Sequence, residues 1–305
     1  MVWTDTVPDA APPFPWFRDK GELPKPLPTI PEIEAATAEF PSIFDRDSRR
    51  TVLVNGCFVV KYGPVVFENE GHALLLVEHI LTVPAPRLYA MFREDEKLYI
   101  VMEFVPGQQL SDIWPTLSED EKTPIVAQLR QAVDSLRALP SPEIFSGVFG
   151  GPLPHRYFFS PKKDPRITGP FDKEEAFCHA LVLRSQEIWD WYGRRGWMNE
   201  YFSRHLPAAL SGHRSVFTHS DFQRKNILVR EKPGSNSDGC SGRSFEVAAI
   251  LDWEAAGWYP SYWGYALCFA YFDWSDDWPE KVEHILDPCV HEAAVMRMVG
   301  QALDA

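Results

Sequence analysis

The stretch THSDFQRKNILV, residues 218–229, sets a histidine, an aspartate and an asparagine at fixed spacing before an apolar run. Asp221 and Asn226 lie five residues apart, and Asp252 follows the next apolar run, in AAILDWE (248–254). Because the two runs are typical of paired strands, we expect these three side chains to point at one spot. Oxygen ligands in small number suit Mg²⁺, which keeps several waters and binds substrate phosphates. The stretch therefore predicts a magnesium site at Asn226 and Asp252, with Asp221 free to accept a proton from a hydroxyl.

The order of these residues matches a pattern used for phosphoryl transfer. H-x-D-x-x-x-x-N, followed by a strand, a loop and an acid after two apolar residues, is the catalytic-loop and metal-loop arrangement of kinases. The alternative is a helix-capping aspartate, a surface asparagine and an unrelated acid. The position of Asp252 after a predicted hairpin favours the kinase interpretation.

A lysine suited to nucleotide phosphates stands upstream. Lys61 lies inside the strand-like FVVKYG (58–63), where its neighbours are apolar. An edge-strand lysine that deters aggregation would give the same pattern, but the kinase residues downstream favour a phosphate-binding role. Its expected partner is Glu70, in the helix that follows, with Glu68 and Glu78 as competing acids.

The segment YIVMEFVPGQQL (99–110) predicts a strand that runs into a break between two parts of the chain. In a kinase, a connection of this kind presents backbone groups to adenine. We therefore expect Glu103 and Val105 to face the base and Met102 to lie at the back of its pocket. A plain interdomain connection is compatible with the same residues.

The first hundred residues predict a small sheet with one helix packed on it. TVLVNGCFVVKYG (51–63) predicts a hairpin, since its central Asn-Gly pair favours a type I′ turn. ENEGHALLLVEHIL (68–81) has helical spacing, and PRLYAMFREDEKLYIVMEFV (86–105) predicts two further strands.

Amphipathic helices dominate the remainder, which places the expected boundary near residues 104–107. The predicted fold is α+β: a protein-kinase-like, two-lobed arrangement with a β-rich N-terminal lobe (1–104) and a larger, mostly helical C-terminal lobe (105–305). Residues 1–29 carry many prolines and are expected to run irregularly, before a short helix at 30–40.

Composition narrows the function classes. A formal charge of −13 argues against a nucleic-acid partner, because phosphate backbones are held by excess lysine and arginine. Five scattered cysteines without a C-x-x-C indicate neither a disulfide framework nor a zinc ribbon. No apolar run approaches a membrane span and no secretion signal opens the chain, so we expect a cytoplasmic protein. The sequence does not indicate its oligomeric state.

Four ordered motifs, FVVKYG, VMEFVPGQQL, THSDFQRKNILV and ILDWEAAGWYPSYWGYA, resemble the aminoglycoside phosphotransferase family, and most closely its fungal members. This family is the small-molecule branch of the protein-kinase-like fold. The resemblance implies that ATP and Mg²⁺ are used, with Asp221 as catalytic base and Asn226 and Asp252 as metal ligands. It also implies that Lys61 binds phosphate with Glu70 as its partner.

Two further roles follow from the same resemblance. His219 would brace the catalytic loop through hydrogen bonds, and Glu254 would add an outer contact to the metal. The chain departs from the family at Gln223, where relatives often carry a histidine. Arg224 or Lys225 is then expected to cover the terminal phosphate, the alternative being that one of them simply faces solvent. A second departure is the lack of a glycine-rich loop before Lys61, which leaves FDRDSRRTVLV (44–54) to form the phosphate-covering turn.

The expected function is an ATP- and Mg²⁺-dependent phosphotransferase that acts on a hydroxyl of a small molecule. The alternative is a nucleotide-binding pseudokinase that serves as an interaction module. A protein kinase is disfavoured, because no D-F-G to A-P-E segment follows Asp252. The acidic, aromatic stretch 271–283 would suit a cationic substrate, although a solvated helix end gives the same composition.

Overall fold

An antiparallel five-stranded sheet comes first in the computed structural model, which describes residues 10–193, 197–232, 243–270 and 274–303. Its spatial order is β1-β4-β5-β3-β2. The strands are β1 (Trp16–Phe17), β2 (Arg50–Val54), β3 (Phe58–Gly63), β4 (Leu88–Glu94) and β5 (Lys97–Glu103).

The hairpin of β2 and β3 fixes the direction of Lys61. Asn55 and Gly56 both have positive φ, 53° and 70°, as a type I′ turn requires. Alternation along β3 sends Val60 and Tyr62 into the core that also holds Ile33. Lys61 therefore points to the opposite face of the sheet.

Two short helices flank this sheet, α1 (Ile30–Glu34) and α2 (Asn69–Val77). Thr29 and Glu32 form a capping box at the start of α1, and Pro31 occupies its first turn. The predicted helix at 30–40 is too long, because the chain after α1 leaves it to pair with β2. The Leu53 amide donates to the Ala38 carbonyl at 2.8 Å.

Part of the proline-rich extension joins the sheet instead of running irregularly. Trp16 and Phe17 of β1 pair with Met91 and Ala90 of β4. The Arg18 guanidinium then forms an ion pair of 2.5 Å with Glu78. The extension thereby covers the backbone edge of β4, which would otherwise be an unpaired strand edge. Residues 1–9 of the predicted extension lie outside the described residues.

A mostly helical part follows Glu103. Its helices are α3 (Leu110–Ile113), α4 (Glu119–Arg137), α5 (Pro165–Thr168), α6 (Glu174–Trp191), α7 (Trp197–Ala209), α8 (Trp263–Ala270), α9 (Trp278–Ile285) and α10 (Val290–Leu303). The two-lobed α+β prediction is confirmed, while the exact division at residues 104 and 105 stays a prediction. Of the described helices, none combines the length and the apolar character that crossing a membrane needs.

Two small sheets shape the junction between the parts. One has the order β10-β9-β6 and the other the order β7-β11-β8. Their strands are β6 (Gln108–Gln109), β7 (Ser146–Gly147), β8 (Ser215–Thr218), β9 (Ile227–Glu231), β10 (Phe245–Ile250) and β11 (Gly257–Pro260). The turns after β8 and β10 carry Asp221 and Asp252, so these two strands position the residues of the predicted site.

Aromatic packing fills the larger core. Trp263 is fully buried and stacks on Tyr259, with ring centroids 5.2 Å apart. His155 meets the edge of the same indole at 5.3 Å and is 7% exposed. Aromatic pairs of this kind add specific contacts to the burial of apolar surface.

Replacing Gly63 with alanine is expected to lower the free energy of unfolding by roughly 2–4 kcal/mol. Gly63 has φ of 145°, and an added Cβ would lie 2.2 Å from the Ser48 carbonyl oxygen. Gly21→Ala is the matched control, because nothing lies within 4 Å of its Cβ position. Urea unfolding of both variants measures the difference, and equal stabilities would show that the close contact with Ser48 does not require glycine.

His155 is expected to make the fold acid-sensitive. Burial lowers its pKa to about 3 from a reference value of 6.5, so the unfolded chain binds the proton first as the pH falls. Stability is therefore lost as the pH falls from 6.5 toward 3, at up to about 1.4 kcal/mol per pH unit from this residue. His155→Phe should flatten the dependence of the unfolding free energy on pH over that window. The same change at His291, an exposed position, is the control. A slope for His155→Phe equal to that of the wild type would refute the assignment.

Candidate active site

A buried ammonium group lies at the centre of the candidate site. Lys61 Nζ is 2.7 Å from Glu70 Oε2, 2.8 Å from Asp252 Oδ1 and 3.4 Å from Glu254 Oε2. Glu70 comes from α2, whereas the other two acids follow β10 in the larger part of the chain. The competing acids lie elsewhere, since Glu68 pairs with Arg93 and Glu78 pairs with Arg18. Lys61 therefore joins the two lobes.

Electrostatics within this group are set by burial and by the lysine. Burial alone would lower the pKa of Lys61, but the three carboxylates outweigh it and raise that pKa above its ordinary value. Burial raises the pKa of Glu70 to about 7. Burial also disfavours the Asp252 carboxylate, yet the nearby ammonium reverses the effect and lowers its pKa to about 2. Lys61 and Asp252 are thus both charged at neutral pH.

Asn69 holds α2 against the segment that carries Asp252. Its Nδ2 donates to the carbonyl oxygens of Glu254 at 3.0 Å and Ala256 at 2.8 Å. Its Oδ1 accepts from the Val148 amide at 3.2 Å. Because Asn69 precedes Glu70 in the same helical turn, these bonds place the glutamate beside Lys61. Sequence reasoning missed Asn69, whose only signal is its position next to Glu70.

A second group of residues lies on the loop after β8. His219 donates from Nε2 to the Leu251 carbonyl at 2.9 Å, and its Nδ1 accepts from the Asp221 amide at 3.2 Å. Burial lowers the pKa of His219, which fits a neutral ring with one donor and one acceptor nitrogen. The Leu251 amide donates to the Asn226 carbonyl at 2.7 Å. These bonds draw the loop next to Asp252.

The Asp221 carboxylate is held from both sides. Asn226 Nδ2 donates to Asp221 Oδ2 at 2.8 Å and to the Asp221 carbonyl at 2.9 Å. Gln223 Nε2 donates to Asp221 Oδ1. Gln223 thus supplies a neutral hydrogen bond that orients the carboxylate, at the position where the resemblance led us to expect a histidine. The sequence did not indicate this role.

Asn226 and Asp252 each keep one side-chain oxygen that would suit a hard cation. The Asn226 amide group uses its nitrogen on Asp221, and its Oδ1 receives no hydrogen bond from the described residues. Asp252 accepts a hydrogen bond from Lys61 through Oδ1, and no residue that the structure describes donates to its Oδ2. Two free oxygens on adjoining loops fit a magnesium ion, whose ligands are oxygens.

Glu70, Asp252 and Glu254 form the other cluster that could hold a metal, with ligand atoms within 4.8 Å of one another. Lys61 Nζ already lies between them at 2.7 to 3.4 Å. A divalent ion placed there would meet a protonated ammonium at contact distance, which is strongly repulsive. Asn226 and Asp252 are therefore the better pair.

Arg224 forms no ion pair with Asp221 or Asp252 among the residues that the structure describes. Its guanidinium forms an ion pair of 2.7 Å with Asp276 and lies 5.3 Å from the ring centre of Trp278. Trp114 and Trp274 flank it at 5.6 and 5.4 Å. The expected cover for the terminal phosphate therefore does not come from Arg224 in this arrangement. Its ion pair ties the Asp221 loop to the segment before α9.

Lys225 is the loop cation that lies near Asp221. Its Nζ is 3.9 Å from Asp221 Oδ2, and its side chain is 54% exposed. Water largely screens a cation at this distance and exposure, so the pair contributes little to stability.

The end of β5 and the connection after it carry the three residues that were expected to lie around adenine. Met102 is buried in the core beneath the sheet. The Glu103 amide donates to the Arg87 carbonyl at 2.9 Å, so that amide is committed to the protein. The Val105 amide donates no hydrogen bond to the residues the structure describes and stays available to a ligand.

The acids of stretch 271–283 are largely paired within the protein; its first three residues lie outside the described residues. Asp276 binds Arg224, while Asp277 binds Lys122 at 2.7 Å and accepts from Trp114 Nε1 at 2.8 Å. Glu283 accepts from the Tyr265 hydroxyl at 3.1 Å. These contacts favour a packing role for the stretch over a pocket for a cation.

Comparison with solved structures shows the same fold in several phosphotransferases. Aminoglycoside phosphotransferase APH(4)-Ia has a TM-score of 0.52 at 14% identity, covering 90% of this chain and 95% of the other. The streptomycin–ATP–APH(2″)-IIa ternary complex has a TM-score of 0.52 at 15% identity, covering 88% and 83%. A protein described as a fructosamine-3-kinase of Haemophilus somnus 129PT has a TM-score of 0.56 at 12% identity, covering 89% and 84%.

No curated protein matches the sequence significantly. The model of the phosphotransferase enzyme family, abbreviated APH, matches residues 45–287, which is most of the chain. That span contains the Lys61 strand, the Asp221 loop and the Asp252 turn. The resemblance inferred from the motifs is thereby confirmed, and the chain belongs to the phosphotransferase enzyme family.

Proposed function

We propose that this protein transfers the terminal phosphoryl group of ATP to a hydroxyl of a small molecule, with Mg²⁺ as the metal. The observation that carries the proposal is the pairing of two preformed groups across the lobes. Lys61 is held by Glu70 and Asp252, and the Asp221 loop is bonded to the residue before Asp252. An enzyme that does little covalent chemistry itself needs such positioning above all.

In this proposal Asp221 accepts the proton of the attacking hydroxyl. The hydrogen bonds from Gln223 and Asn226 fix its two carboxylate oxygens, so the hydroxyl meets an oriented base instead of a rotating one. His219 braces the loop as a buried neutral ring and takes no proton itself. A positioned base of this kind contributes roughly 10²- to 10⁴-fold to a rate.

Lys61 would bind phosphate oxygens of the nucleotide, and the free Val105 amide would donate a hydrogen bond to the adenine base. Asn226 Oδ1 and Asp252 Oδ2 would hold Mg²⁺. The metal, when bound, would offset negative charge on the transferring phosphoryl oxygens. Nucleotide use is supported by the structural likeness to a phosphotransferase solved with ATP and streptomycin.

The acceptor is proposed only as a hydroxylated small molecule. The paired acids of stretch 271–283 give no support to a cationic acceptor, because Asp276 and Asp277 are neutralised by Arg224 and Lys122. A panel of sugars, amino alcohols and aminoglycosides, scored by ATP consumption, identifies the acceptor class.

Asp221→Asn is expected to reduce turnover by about 100- to 10,000-fold with little change in ATP affinity. The amide keeps the size of the side chain but no longer accepts a proton from the acceptor hydroxyl. Steady-state kinetics on an alcohol that the wild type phosphorylates provide the measurement. Asp287→Asn is the control, since Asp287 pairs with Arg130 and Arg137 away from the site. A rate equal to that of the control would remove Asp221 from the mechanism.

Asp252→Asn is expected to remove most of the dependence of ATP binding on Mg²⁺. Loss of the carboxylate takes away one of the two oxygens proposed for the metal and leaves Lys61 paired with Glu70. Calorimetric titration of ATP with and without Mg²⁺ measures the effect, with Glu283→Gln as a control. If the variant gains as much affinity from Mg²⁺ as the control does, the metal lies elsewhere.

The wild type itself decides between catalysis and the pseudokinase alternative. Binding of ATP·Mg²⁺ with turnover of at least one alcohol in the panel supports the proposal. Binding of the nucleotide without turnover of any of them would favour an interaction module.

A further inference from the structure

The turn before β2 is ordered without a glycine-rich sequence. Asp45 Oδ1 accepts from the Ser48 amide at 2.8 Å, and Asp45 Oδ2 accepts from the Ser48 hydroxyl at 3.0 Å. The Arg49 amide donates to the Asp45 carbonyl at 3.0 Å. Side-chain hydrogen bonds of this kind hold the turn in one conformation, which a glycine-rich loop would not do. The direction of Arg49 is therefore set by the backbone.

Gly63 lets this turn lie directly against the end of β3. The space where a Cβ would stand is occupied by the Ser48 carbonyl, 2.2 Å away, and by the Arg49 Cα, 3.0 Å away. Gly63 lies two residues after Lys61 in the same strand. The close approach thus brings the backbone of Arg49 next to the strand that carries the proposed phosphate-binding lysine.

The side chain of Arg49 enters the acidic cluster. Its Nη1 is 2.5 Å from Glu254 Oε2, an oxygen that also lies 3.4 Å from Lys61 Nζ. The guanidinium covers the ring of Phe44 at 4.2 Å, and the side chain is 10% exposed. Arg49 Nε is buried and has no acceptor among the described residues. A buried donor without an acceptor is costly and indicates a position where a ligand oxygen fits.

We propose that Arg49 is a second phosphate-binding cation, which exchanges Glu254 for phosphate oxygens of a bound nucleoside triphosphate. The proposal rests on the function proposed above and names a residue of the same site. In the nucleotide-free protein Glu254 balances the arginine, so no buried charge is left unpaired. A guanidinium presents several donors in a fork that matches phosphate geometry, which a lysine lacks.

Other cations near the loops are less suited to this role. Arg224 is held by Asp276 and three tryptophan rings, and Lys225 is half-exposed near Asp221. Arg46 shares the turn with Arg49 but points outward, where it pairs with Glu39 and its side chain is 70% exposed. Arg49 is thus the cation of the turn that is both buried and adjacent to Lys61.

The test compares nucleotides that differ only in phosphate number. Arg49→Gln should weaken binding of ATP·Mg²⁺ by about 10- to 100-fold in calorimetric titration, the range for losing hydrogen bonds to a charged group. Binding of AMP should stay within about twofold of the wild type. Arg46→Gln, the matched control from the same turn, should change neither affinity.

A double-mutant cycle separates phosphate binding from a structural role. If Arg49 contacts phosphate, adding Arg49→Gln to Glu254→Gln should still weaken ATP binding about tenfold or more. If Arg49 serves only to neutralise Glu254 or to clamp the lobes, its removal should have no effect in that background, and the proposal is overturned. The Glu254→Gln variant and the double variant both lack the charge of Glu254. Comparing these two therefore tests the proposal even if the Arg49→Gln single variant fails to fold.

The two proposals fail in different ways. A wild type that binds no nucleotide removes the proposed function itself and this inference with it. A wild type that binds ATP, together with an Arg49→Gln variant of the same affinity, overturns the role of Arg49 alone. Equal losses for ATP and AMP would likewise count against phosphate contact.

Discussion

The site depends on keeping one ammonium group charged in the interior. Lys61 is 6% exposed, and a buried charge without partners costs far more than a single domain can supply. Its partners come from two parts of the chain: Glu70 from the helix beside the sheet, and Asp252 and Glu254 from the segment after β10. Each part supplies at least one carboxylate to the lysine. The ionic contact therefore couples the orientation of the lobes to the geometry of the site, before any ligand is present.

Backbone strain accompanies this coupling at two turns. Ser220 and Asp252 both have positive φ, 65° and 63°, which costs a residue other than glycine on the order of 1 kcal/mol or more. They lie in adjoining loops joined by the bonds from His219 to Leu251 and from Leu251 to Asn226. Ser220 directly precedes Asp221, and Asp252 itself carries the carboxylate that binds Lys61. The hydrogen bonds and the ion pair with Lys61 hold the two turns in conformations that the residues would not adopt alone.

The sequence predicted the residues whose roles follow from local spacing. It did not predict the orientations and pairings that depend on residues distant in the chain. A lysine flanked by apolar residues, and an aspartate five residues before an asparagine, are visible in the sequence. The structure pairs Lys61 with Asp252 and bonds the loop of Asp221 and Asn226 to Leu251, the residue before Asp252. The direction of Arg224 was not readable, because three tryptophans from distant segments decide it. The pairing of Trp16 and Phe17 with β4 was hidden for the same reason, since a two-residue strand has no periodicity.

Charge balance supports the proposal that a divalent ion would accompany a polyphosphate at this site. Glu70, Asp252 and Glu254 carry three negative charges when ionised, against the two positive charges of Lys61 and Arg49. Even with Glu70 protonated, which its pKa of about 7 permits near neutral pH, the balance reaches only zero. A nucleoside triphosphate would add several negative charges to a cluster with no positive charge to spare. Oxygens without donors on Asn226 and Asp252 therefore meet an electrostatic need, since a hard dication bound by them would restore the balance that the side chains alone cannot provide.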